Sequence, residues 1–238
     1  MDREKLFEKF IEACERNKQV CGQGDYRANI LLIGQEPYCD REMKGEELTD
    51  YLSNNYSECR KHSCCYIHES KGQSPTWKNY QKLIDLIYPD KPKNNAILDF
   101  EPYAFTTELN SIPRPHKDLD LQTKDNIKKR LILLEESRFI QSFPVIILAC
   151  GDYIRNNKKV REIDDTFHVE FCQEYGSKES KNRFWTHFDD KNDPRKLVIH
   201  TRQFSLGYMK PEDREWLIEN MAEVIRGHLD HLKKLGLI

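Results

Sequence analysis

The chain contains no run approaching the roughly 20 consecutive apolar residues that a bilayer-spanning helix requires. It also has no internal repeat, no low-complexity tract and no Gly/Ser linker. A membrane protein is therefore not expected, and residues 1–238 are expected to form a single domain. The opening segment, Met1 to Arg16, mixes both charges on an amphipathic pattern, so no secretory signal is expected and the expected compartment is the cytoplasm. An excess of one charge is missing too: 38 Lys+Arg stand against 40 Asp+Glu, a formal net charge of −2. That balance argues against a broadly cationic surface, so any nucleic-acid contact has to come from a local basic patch. The eight cysteines include no Cys-x2-Cys pair. In a cytoplasmic chain such cysteines point to reduced thiols or metal ligands more than to disulfides.

What is present is an alternation of helix and strand signals. Leu6, Phe7, Phe10, Ile11 and Cys14 recur at helical spacing. The short apolar run Ile30-Leu31-Leu32-Ile33, ended by Gly34, predicts a strand buried on both faces. Residues 77–88, opened by Ser74-Pro75-Thr76, predict a helix. Tyr103 to Thr107 predicts a second strand, and a long helix follows around Ile127, Leu131 and Leu134. Val145 to Ala149 predicts a third strand, with Gly151 opening a further helix. Residues 160–190, with Phe167, Val169, Phe171, Phe184 and Trp185, predict an extended excursion or hairpin. Leu197-Val198-Ile199 predicts the last strand, and Pro211 to about Leu235 a terminal amphipathic helix with Glu212 and Asp213 in its first turn. The expected fold class is α/β, a three-layer α/β/α sandwich around a central four-stranded parallel sheet. In such sheets ligands bind beyond the carboxyl ends of the strands. Chemistry is therefore expected just after Ile33, Thr107, Ala149 and Ile199.

The first of these segments is Gly34-Gln35-Glu36-Pro37-Tyr38-Cys39, where Gly and Pro shape a turn from which Glu36 projects a carboxylate. The last is His200-Thr201-Arg202-Gln203-Phe204-Ser205, which offers a proton donor, a guanidinium and an aromatic ring. LLIGQEPYC resembles the G-Q-D-P-Y-H signature of uracil-DNA glycosylases, and HTRQFS resembles their H-P-S-P-L-S signature. SPTWKNYQKLIDLI resembles the helix start P-P-S-L-x-N-I-x-K-E-L of the same family. The order and the strand-end placement agree over roughly residues 25–225, and three ordered matches are more specific than any one of them.

The resemblance implies a uracil-DNA glycosylase-like fold and a DNA glycosylase. Such an enzyme hydrolyses the N-glycosidic bond of a flipped-out deaminated base, uracil foremost, in base excision repair. Glu36 takes the place of the family's aspartate beside the sugar cation, and His200 that of the histidine that stabilises the departing base. Gln35, Tyr38, Tyr66, Glu108 and Asn110 are the implied base-binding residues. Tyr38 would crowd the 5-position of the base, and Tyr66 would stack on it. Arg202, Gln203, Phe204 and Ser205 are the implied DNA-binding residues, with Arg202 near phosphates and Phe204 as an apolar wedge. The implied partner is DNA, single- or double-stranded, bound by a monomer.

The departures from the family bear on substrate. Glu36 is one methylene longer than aspartate, Cys39 replaces histidine, and Thr201, Arg202 and Gln203 replace Pro, Ser and Pro. In FTTELN, Thr107, Glu108 or Asn110 takes the place of the base-reading asparagine. An amide both donates and accepts, whereas an ionised glutamate only accepts. A non-catalytic nucleic-acid or protein binding module on the same fold is the alternative, and hydrolysis of free nucleosides a third reading. The chemistry needs no cofactor. Cys59, His62, Cys65 and His68, with Cys64 adjacent, form a row that zinc could use, and Cys14 and Cys21 stand where an iron–sulfur cluster could begin. The regular spacing of the row does not match a zinc finger, and free thiols are the expectation.

Overall fold

The computed structural model describes residues 2–62, 66–115, 119–157, 159–179 and 181–238. The chain opens with α1 (Arg3–Arg16), capped by the Asp2 side chain, then β1 (Gln23–Gly24), β2 (Ile30–Gly34) and α2 (Gly45–Arg60). Next come β3 (His68–Glu69), α3 (Pro75–Ile87), β4 (Ile97–Leu98) and β5 (Phe105–Glu108). Then follow α4 (Leu121–Glu136), the short α5 (Arg138–Gln141), β6 (Val145–Ala149) and α6 (Glu162–Phe167). The chain ends with β7 (Glu170–Tyr175), β8 (Phe184–Phe188), β9 (Leu197–Thr201) and α7 (Pro211–Lys234).

The principal sheet has seven strands in the order β1-β5-β2-β6-β9-β8-β7. Its centre, β5-β2-β6-β9, is parallel throughout and consists of the strands expected from sequence. Antiparallel β1 lengthens one edge, and the β7–β8 hairpin lengthens the other. The four-stranded expectation is corrected to a seven-stranded mixed sheet, because β1 adds to one edge and the 160–190 segment, a hairpin, pairs with β9 at the other. The helix expected to open at Gly151 is also corrected. A single 3-10 turn, Gly151–Tyr153, stands there, and α6 begins only at Glu162.

Alternation along the central strands explains the layering. Leu31, Ile33, Phe105, Ile146, Leu148 and Val198 point to one face, where they pack with α1, α2, α4, α5 and α6. Ile30, Leu32, Val145, Ile147 and Ile199 point to the other, under α3 and α7. Both faces being covered, the strands read as unbroken apolar runs. Among the described residues, no helix is long and apolar enough to cross a membrane.

Candidate active site

Beyond the sheet, the segments after β2 and β5 continue side by side. Leu109 N–H donates to the Gly34 carbonyl at 3.0 Å, Asn110 N–H to Gln35 at 2.8 Å, and Arg114 N–H to Pro37 at 3.2 Å. This zipper delivers Arg114, which lies between Pro113 and Pro115, to the Gly34–Cys39 turn. The 3-10 turn after β6 brings Tyr153 from a third strand end.

Glu36 is where these segments meet. The Tyr153 hydroxyl donates to Glu36 Oε1 and Oε2, at 2.8 and 2.7 Å. Arg114 Nε and Asn110 Nδ2 both donate to Oε2 at 3.2 Å. The Glu36 side chain is 0% exposed and that of Arg114 2%, so this is a buried ion pair with its lone pairs largely satisfied. Burial first, and the bond to Glu36 second, push the Tyr153 hydroxyl well above its ordinary range, so it remains a donor.

A cleft of about 560 Å³ opens over the carboxyl ends of β2, β5 and β6, within the range of small-ligand sites. Gln35, Glu36, Glu108 and Gln203 are among its polar residues, and Tyr38, Tyr51, Trp77 and Tyr80 supply its rings. Gln35 Nε2 donates to the Cys150 carbonyl at 3.2 Å. Glu108 differs from Glu36: its Oε2 is sealed from solvent and, among the described residues, meets no hydrogen-bond partner. The carboxyl lies against Gly34, where a Cβ would stand 2.1 Å from Oε2. Burial, then the charge of Glu36, push the Glu108 carboxyl up to about 8, with Arg130 opposing. At neutral pH it is therefore mainly the neutral acid, which donates through O–H and accepts through C=O.

The remaining expected residues fall into several places. Tyr38 is exposed on the rim, with its hydroxyl 3.1 Å from Asp40. Asn110 is buried, donating to Glu36 and accepting from Asn126, so its amide is committed within the protein. Tyr66 does not line the cleft; its backbone N–H binds Glu101 and its ring lies 5.8 Å from that of His68. Gln203 and Ser205 line the cleft, and Arg202 is exposed, its guanidinium 5.8 Å from the Tyr208 ring.

The wedge expectation for Phe204 is corrected: the ring is 0% exposed and stacks on Tyr80 at 5.3 Å. Asn79 of α3 donates to the Phe204 carbonyl at 2.8 Å and so fastens this loop to the core. The pairing of His200 with Glu36 is corrected as well. His200 lies within β9 on the face that carries Val198, lines a different cavity, and has Nε2 3.0 Å from the Gly151 carbonyl. Burial pushes its imidazole down to about 4.

Arg114, Tyr153 and Trp77 were not singled out for the site by the sequence. Tyr153 stands just past the third strand, a position where chemistry was expected. Arg114 carried only its flanking prolines as a signal.

In the cysteine row, Cys64 and Cys65 lie outside the described residues. Cys59 is buried with Sγ 3.4 Å from the Gly22 carbonyl, His62 faces Glu4 and His68 faces Glu101, so these three do not converge. Cys14 and Cys21 are buried free thiols. Among the described residues, no group of three or more His, Cys, Asp or Glu side chains is placed to hold a metal ion. Set against known proteins, the sequence matches no family model and no curated protein.

Proposed function

We propose that the cleft over β2, β5 and β6 receives an unstacked nucleobase and that the chain is a DNA glycosylase working with two carboxyl groups in different states. The observation that carries this reading is the contrast between Glu36 and Glu108 at adjacent strand ends. Glu36 is paired with Arg114, while Glu108 Oε2 meets no partner among the described residues and the carboxyl is held neutral. A buried neutral carboxyl beside a carboxylate paired with a guanidinium suits acid–base work at a glycosidic bond.

In this reading the C1′–N bond breaks with its electron pair leaving on the base. Glu108 O–H donates to the base and neutralises that charge, taking the place foreseen for His200. Glu36 stabilises the sugar cation, water adds at C1′, and the proton that water loses restores Glu108. The same carboxylic acid presents an adjacent donor and acceptor, the pair that a uracil edge requires, so uracil remains the first substrate to try. The resemblance of LLIGQEPYC and SPTWKNYQKLIDLI to the uracil-DNA glycosylase signatures supports the reading independently.

The enclosure of Glu36 favours a second reading. With its side chain sealed and its oxygens bonded to Tyr153, Arg114 and Asn110, the cleft would hold a base without cutting it. Base release from oligonucleotides carrying uracil, hypoxanthine or xanthine separates the two. Release that disappears in Glu36→Gln supports the glycosylase, and salt-sensitive binding with no release from any substrate supports the binding module.

A further inference from the structure

A second cavity, of about 640 Å³, lies over the antiparallel extension of the sheet. Strand pairing sets its rings opposite one another: Trp185 faces His200 across β8–β9, and Phe171 faces His187 across β7–β8. Trp185 and His200 stack with centroids 5.3 Å apart, while Phe171 meets His187 edge-on at 5.8 Å. The turn after β6 forms a wall carrying Arg155 and Arg161. Lys158 and Lys159 fall between those arginines in sequence.

Each histidine has one ring nitrogen committed. His187 Nδ1 lies 2.8 Å from Asp164 Oδ1, and Asp164 is also engaged by Arg161 at 3.3 Å, so this nitrogen carries the proton. His200 Nε2 faces the Gly151 carbonyl, which can only accept, so that nitrogen carries the proton in this ring. Burial lowers both imidazoles and keeps them neutral near pH 7. The nitrogens left over, Nε2 of His187 and Nδ1 of His200, are acceptors. A matching ligand offers a flat ring to Trp185 and Phe171, N–H groups to the imidazoles and an anion to Arg155. The guanidinium of Arg155 makes no ion pair among the described residues. Asp152 lines the cavity beside His200, which directs an anion toward the opposite end.

We propose that this second cavity binds one nucleotide unit with an amino-bearing base, the base against Trp185 and Phe171 and the phosphate at Arg155 and Arg161. This site is separate from the cleft that holds Glu36 and does not rest on the glycosylase reading. The unit can be a free mononucleotide or one nucleotide of a single strand.

The test is calorimetric titration of the full chain with adenosine monophosphate, uridine monophosphate and inorganic phosphate, and with short single-stranded oligoadenylate and oligothymidylate. The expected results are adenine over pyrimidine-dione by about tenfold, roughly one hydrogen bond's worth, and little affinity for phosphate alone. Phe171→Ala and Arg155→Ala, both at exposed positions, are each expected to weaken adenine binding about five- to tenfold, and Glu36→Gln to leave it unchanged. Binding of the oligomer but not the monomer, with that sensitivity, identifies a strand as the source; equal monomer binding identifies a free nucleotide. Absence of adenine binding in both forms, or binding indifferent to Phe171→Ala and Arg155→Ala, overturns the proposal. Base release measured in parallel, in wild type and Glu36→Gln, tests the Glu36 cleft separately.

Discussion

Glu36 and Arg114 pair with both side chains closed to solvent, and Arg114 also reaches the half-exposed Asp120 at 3.4 Å, so removing Glu36 takes the buried partner from a buried guanidinium. Replacement of Glu36 by alanine is therefore expected to cost stability as well as turnover, on the order of 3–5 kcal/mol. Glu36→Gln keeps the volume and an acceptor and is the better test of chemistry. Urea unfolding of both variants checks this; an alanine variant as stable as wild type contradicts the buried pairing. Glu108 makes the opposite prediction. Its folded pKa, about 8, is above the ordinary carboxyl value of 4.5. Between those values the folded state holds a proton that the unfolded chain has released, so stability falls as pH rises through that window, by up to about 1.4 kcal/mol per unit. Glu108→Gln is expected to remove this slope and to be more stable than wild type at pH 8. Unfolding midpoints at pH 5 and 8 measure it, and equal slopes in the two proteins contradict the buried neutral acid. Wild-type base release is likewise expected to decline as pH passes about 8 and Glu108 loses its proton.

At the scale of elements, the close approach of β2 to β5 gives the Glu108 carboxyl its place. A methyl group at Gly34 would overlap Oε2, and the far end of a flexible side chain is what gives way. Gly34→Ala is expected to leave the unfolding midpoint nearly unchanged while lowering turnover at least tenfold by displacing Glu108. Full activity in this variant would dismiss Glu108 from the site. The loop after β9 is fixed differently, by Asn79 of α3 holding the Phe204 and Ser205 carbonyls. That bond explains why an aromatic residue that sequence places at a DNA surface is instead core. Phe204→Ala is expected to cost about 3–5 kcal/mol through the cavity it leaves. Little loss of stability, with a selective loss of DNA affinity, would restore the wedge.

For the whole molecule, the central strands were legible because burial on both faces writes them as unbroken apolar runs, Ile30 to Ile33 and Val145 to Ala149 being the clearest. The edge strands were not. β1 is too short to carry a period, and β7 alternates weakly because most of it is exposed. The site was legible in part for the same kind of reason. A residue at a strand end, such as Glu36 or Glu108, is placed by the strand itself, whereas Arg114 reaches Glu36 through a backbone zipper that leaves no periodic trace. His200 was misplaced because β9 runs two residues past the apolar run that marks it, carrying the imidazole into the strand and onto the face of the second cavity. At this scale the molecule is an α/β sheet with one cavity beyond the carboxyl ends of its central strands, holding the carboxyl pair, and another over its antiparallel extension.

The role of the carboxyl pair is tested most directly by single-turnover base release from a uracil-containing oligonucleotide across pH 6 to 9, using wild type, Glu36→Gln, Glu108→Gln and His200→Ala. Wild type is expected to release base with a decline above about pH 8, Glu36→Gln to lose release by orders of magnitude, Glu108→Gln to lose the alkaline decline, and His200→Ala to release base at a near wild-type rate. Release that survives in Glu36→Gln but vanishes in His200→Ala would contradict that role and move the chemistry to the second cavity.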